Sequence, residues 1–92
     1  MTLTETKEYD AIYAFYFTSK EGEHVSVYVS KFNRKIYITN GIRDDIYIEG
    51  LTEEELEEIA KTKKAKTSYD NEDLWPDFNY SIEKGCISIN LK

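Results

Sequence analysis

The chain has 92 residues, enough for one small domain, and its 40% hydrophobic and 33% charged residues suit a modest folded core rather than disorder. A formal net charge of −6 argues against direct contact with nucleic-acid phosphates or an anionic membrane, and favours a basic protein partner or simple solubility. No apolar run approaches the ~20 residues of a membrane-spanning helix, and the single cysteine, Cys86, cannot close an internal disulfide, so a cytoplasmic setting is expected (the host cytoplasm if the chain is viral).

Met1 to Glu8 is polar, does not resemble a signal peptide, and is expected to be a frayed tail at residues 1–8 ahead of a single α+β domain at 9–92. Tyr9 to Thr18 is apolar on both faces, which suits a strand buried on both sides in the middle of a sheet. Ser19 to Glu23, with Gly22, reads as a turn.

Val25 to Ser30, Ile36 to Thr39 and Ile46 to Glu49 alternate strictly between apolar and polar residues. Val25, Val27, Val29, Ile36, Ile38, Ile46 and Ile48 share one face; Tyr28, Tyr37 and Tyr47 share the other with Ser26, Ser30, Thr39 and Glu49. A one-residue slip inverts every side chain, so the faces set the registers. Phe17 should oppose Val25, Phe15 Val27 and Tyr13 Val29. Val29 should then oppose Ile36 and Tyr28 oppose Tyr37, with a bend at Lys31-Phe32-Asn33-Arg34. Asn40-Gly41 is a strong signal for a two-residue hairpin loop, but that loop would set Ile38 against Arg43. A loop over residues 40–44 instead opposes Ile38 with Ile46, Tyr37 with Tyr47 and Ile36 with Ile48. It is preferred because buried aliphatics outweigh one turn preference.

Leu51 to Lys66 is predicted as a helix. Thr52 and Glu55 form a capping box, and Leu51 and Leu56 are placed for a hydrophobic staple. Glutamates crowd the first turns and lysines the last, matching the helix dipole. The apolar stripe is narrow: Leu56, Ile59 and Ala60, with Ala65 at its end. Thr67 to Asp77 has no period; it carries Tyr69, Trp75, the only proline, Pro76, and four acids. Phe78 to Lys92 reads as a hairpin turning at Lys84-Gly85, opposing Ile82 with Ile87, Tyr80 with Ile89 and Phe78 with Leu91. The expected fold is α+β, an antiparallel sheet in the order ββββ-α-ββ with one helix packed on one face.

Chemistry-bearing residues are sparse, so no enzyme, catalytic residue or cofactor is expected. His24 is the only histidine and has no orienting partner in the sequence. Cys86 lacks a thiolate-stabilising setting. Asp70-Asn71-Glu72-Asp73 offers hard oxygen ligands but lacks EF-hand spacing and its glycine, so a solvated loop is expected rather than a metal site.

Two surfaces remain. Tyr16, Tyr28, Tyr37 and Tyr47 would form a tyrosine face suited to protein contacts. Tyr69, Asp70, Glu72, Asp73, Trp75 and Asp77 would form an acidic, aromatic segment suited to a basic groove. The expectation is a small acidic protein-binding module, an inhibitor occupying a basic site of a nucleic-acid-handling protein. Phage or mobile-element anti-defence proteins and immunity proteins share this general character. The alternative is a structural protein that self-associates, as a homodimer, through the tyrosine face.

Overall fold

The computed structural model describes residues 1–39, 46–48, 51–67 and 78–91, with side chains for 1–39, 51–67 and 82–89. The loop expected at 40–44 and the acidic segment 69–77 lie outside the described residues.

The first sheet has five antiparallel strands in chain order: β1 (Thr2–Glu8), β2 (Ile12–Thr18), β3 (His24–Ser30), β4 (Ile36–Thr39) and β5 (Ile46–Ile48). The registers of β2 to β5 follow the alternation. Phe17 faces Val25, Phe15 faces Val27, Val29 faces Ile36, and Tyr37 faces Tyr47. Strand β2 is interior, as its two apolar faces require; Ala14 and Phe15 are both fully buried.

The N-terminal tail is corrected: residues 2–8 are strand β1, paired antiparallel with β2. Left alone, β2 would expose a row of unpaired N–H and C=O groups beside a buried face, and β1 satisfies them. A bulge between Leu3 and Glu5 makes this possible. A regular ladder starting from Leu3 opposite Phe17 would set Glu5 opposite Phe15, in the core. The extra residue, Thr4, moves Glu5 opposite Tyr16 on the outer face and brings Thr6 to Phe15. Thr4 Oγ1 donates to the Tyr16 carbonyl at 3.2 Å.

The turns carry their own hydrogen bonds. Between β3 and β4, buried Ser30 accepts at Oγ from the N–H groups of Phe32 and Asn33, both at 3.3 Å, and Asn33 Oδ1 accepts from Lys35 N at 3.1 Å. Phe32 is left 80% exposed at the tip of this ordered turn.

Helix α1 spans Glu53–Thr62 and has the expected capping box between Thr52 and Glu55. It stops four residues short of the predicted end. Lys63 takes a left-handed conformation (φ 49°) and donates its N–H to the Ile59 carbonyl at 2.7 Å. Lys64–Thr67 then forms strand β6, parallel to β8 (Cys86–Leu91), while β7 (Phe78–Glu83) and β8 make the expected hairpin. The second sheet is ordered β6-β8-β7. The α+β class with one helix holds, but among the described residues the strands number five before the helix and three after it, in two sheets.

One buried cluster unites these parts. The aliphatic face of the first sheet meets Leu51, Ile59 of α1, Ala65 of β6, and Ile87 and Ile89 of β8. The helix lies against β8.

Glu8 ties three elements together at the surface. Its carboxylate receives Lys31 Nζ and Lys63 Nζ, each at 2.9 Å. These two bonds, Lys31 first, push the Glu8 pKa from its ordinary 4.5 down to about 2. A carboxyl with a depressed folded pKa stabilises the fold above its unfolded pKa, and that contribution fades as pH falls through the folded one. Glu8→Gln should therefore lower the urea midpoint at pH 6, and the gap from the wild type should close between pH 4.5 and 2. An equal gap at both ends of that window would show that the ion pairs contribute nothing.

Candidate functional site

The pleat of the first sheet sends alternate residues outward, and the registers align them. One row crosses all five strands as Lys7, Ala14, Tyr28, Tyr37 and Tyr47, each opposite the next. The neighbouring row holds Glu5, Tyr16, Ser26 and Thr39. Directly opposed residues on antiparallel strands have Cβ atoms about 4.5–5.5 Å apart, so Tyr28 and Tyr37 stand side by side, and the register places Tyr47 next in the row.

Tyr16 joins these tyrosines from the next row. Its ring meets that of Tyr28 edge to face, with centroids 6.2 Å apart and planes at 83°. This is a diagonal cross-strand contact, within reach of aromatic side chains. Tyr9, just before β2, adds its hydroxyl at 3.5 Å from that of Tyr16. The Tyr9 contact, then burial and Tyr28, raise the Tyr16 pKa well above the ordinary tyrosine value. Tyr16 therefore stays a neutral phenol at any physiological pH. Tyr37 accepts at its hydroxyl from Asn33 Nδ2 at 3.2 Å, which anchors the ring to the β3–β4 turn.

Tyr16, Tyr28 and Tyr37 are each half-buried, while Ala14 in the same face is fully buried. The C-terminal hairpin contributes Ile87 and Ile89 to the core beneath the opposite, aliphatic face. Glu5 and Lys7 of edge strand β1 lie on the tyrosine face and approach each other at 3.5 Å. The face thus combines aromatic rings and hydroxyl groups at little conformational cost, a composition that suits protein contacts.

The structure brings together Tyr16, Tyr28 and Tyr37, and register adds Tyr47. Tyr69, Asp70, Glu72, Asp73, Trp75 and Asp77 lie outside the described residues. His24 opens β3, with Nδ1 3.2 Å from Thr18 Oγ1, whereas Cys86 opens β8 in the other sheet. The sequence reading missed Tyr9 as a partner of Tyr16. It also missed Lys64 and Lys66 as residues of the second sheet, because the expected helix runs on through Lys66. The alternation Lys64-Ala65-Lys66-Thr67 was the available signal.

Fold and surface define a small α+β protein whose five-stranded sheet carries a tyrosine band on the face away from its core. No helix among the described residues is long and apolar enough to cross a membrane. The chain matches no protein-family model, no curated protein and no solved structure.

Proposed function

We propose that the protein is a binding module that holds a basic protein partner on its tyrosine face, and that it inhibits a nucleic-acid-handling protein by covering a basic site. The observation that carries this reading is the alignment of Tyr28, Tyr37 and Tyr47 in one row, with Tyr16 packed edge-on against it. Tyrosine rings attract arginine and lysine side chains through their negative faces, and the net charge of −6 steers a basic partner inward and repels nucleic acid. The acidic segment, Asp70 to Asp77, supplies a second set of carboxylates for the same partner.

The test is capture of a partner from a host lysate, followed by affinity measurement with the purified partner. Replacing Tyr28 and Tyr37 by serine should weaken binding by about 30-fold or more, as expected for two central aromatic contacts. Circular dichroism should show the fold intact. Asp70→Lys, Glu72→Lys, Asp73→Lys and Asp77→Lys together should weaken it further, and added salt should weaken it in the wild type. A partner held equally by the double serine variant would overturn the assignment to this face. Recovery of the protein alone, as a dimer in sedimentation, would replace the inhibitor by self-association.

A further inference from the structure

The second sheet carries a basic depression that the tyrosine face does not involve. Because β6 runs parallel to β8, Lys64 lies opposite Cys86 and Lys66 opposite Ser88, so both lysines share one face with them. Ala65 faces the other way, into the core. Lys84 reaches the same place from the β7–β8 turn. That turn is held on the end of α1, where Thr62 Oγ1 donates to the Gly85 carbonyl at 2.7 Å. Together Lys64, Lys66, Lys84, Glu83, Cys86 and Ser88 line a depression of about 430 Å³, within the roughly 300–1,000 Å³ of small-ligand sites.

The charge of this depression runs against the rest of the chain. Among the described residues that line it, three ammonium groups stand against one carboxylate, Glu83, in a protein of net charge −6. Of the seven described lysine and arginine side chains outside the depression, five, Lys7, Lys31, Arg34, Lys61 and Lys63, pair with a glutamate within 4.0 Å. Among the described residues, Lys64, Lys66 and Lys84 have no carboxylate within that distance. Like charges gathered in one place repel, and a bound anion removes that repulsion.

We propose that Lys64, Lys66 and Lys84 form a binding site for a small molecule bearing phosphate groups. Lysine binds phosphate as a point charge. Glu83 repels an anion at its own end and so bounds the site. The size limit follows from screening. The Debye length is about 8 Å at physiological salt, so a short polyanion feels the local lysines, whereas a long one also meets the acidic remainder of the protein.

The probes are orthophosphate, pyrophosphate and tripolyphosphate, titrated at constant ionic strength and followed by amide chemical shifts. Saturable shifts should be confined to residues 64–66 and 84–88, with affinity rising from orthophosphate to tripolyphosphate. Lys64→Glu with Lys66→Glu should weaken tripolyphosphate binding at least about tenfold, as loss of charge-assisted contacts requires. Lys84→Gln, outside the sheet ladder, should weaken it in the same direction. The Tyr28→Ser, Tyr37→Ser variant should bind tripolyphosphate like the wild type, so this site and the tyrosine face stand or fall separately. Unsaturable or chain-wide shifts, or unchanged affinity in the lysine variants, would overturn the proposal. So would a single-stranded oligonucleotide binding more tightly than tripolyphosphate, which would assign the face to nucleic acid.

Discussion

Gly85→Ala should cost about 2–4 kcal/mol, combining a left-handed backbone penalty with overpacking. That is a large part of the roughly 5–14 kcal/mol expected for a chain of this length, and should lower the melting temperature by roughly 10–25 °C. Lys84 and Gly85 have φ of 52° and 74°, the pair of positive values that a type I′ turn uses. Lysine already bears that strain at its position. At Gly85 an added Cβ would also stand 2.8 Å from the Glu58 carbonyl oxygen and 2.8 Å from Thr62 Cγ2 and Oγ1. Thr62 has little freedom to turn away, because its hydroxyl is shared between the Glu58 carbonyl at 3.1 Å and the Gly85 carbonyl at 2.7 Å. Adding Thr62→Ala to Gly85→Ala should recover only part of the loss, since the Glu58 oxygen belongs to the helix backbone. Thermal melts followed by circular dichroism decide it. A melting temperature within about 2 °C of the wild type, well under the effect of 1 kcal/mol, would mean that the turn moves freely off the helix.

Ile59→Ala should cost about 2–5 kcal/mol, the usual range for removing a buried isoleucine side chain. Ile59 is the buried residue of α1, and Leu56 and Ala60 only flank the cluster. A helix of 10 residues is too short to hold itself together in water and depends on the face it buries. Loss of Ile59 should therefore loosen the helix before the meander. Amide exchange over residues 53–62 should accelerate more than over residues 24–30. Leu56→Ala, at a half-buried position, should cost less. Equal acceleration in both segments would place Ile59 in a fully cooperative core and deny the helix any separate opening.

Both predictions concern places where the fold closes on itself: the turn at Lys84-Gly85 and the buried face of α1 were legible in the sequence, but the contact of that turn with Thr62 and Glu58 was not. The registers of β2 to β5 could be read because strict alternation leaves two phases and only one keeps Val27 against Phe15 and Ile38. The tyrosine row followed from the same registers, since a face is settled once a register is. The start of α1 was legible because Thr52 and Glu55 satisfy backbone groups only a few residues away.

The amino-acid sequence alone therefore determined the meander from Tyr13 to Ile48, the helix N-terminus, the C-terminal hairpin and the sorting of tyrosines from aliphatics, because these depend on local periodicity and caps. Only the tertiary structure decided the rest. Residues 2–8 became a strand because β2 has an edge to complete, and the bulge at Thr4 had hidden their alternation. Lys64 to Thr67 left the helix because Lys63 turns left-handed and the open edge of β8 offers backbone partners to a parallel strand. That pairing joins residues far apart in sequence, and it also gathered Lys64, Lys66 and Lys84 around one depression.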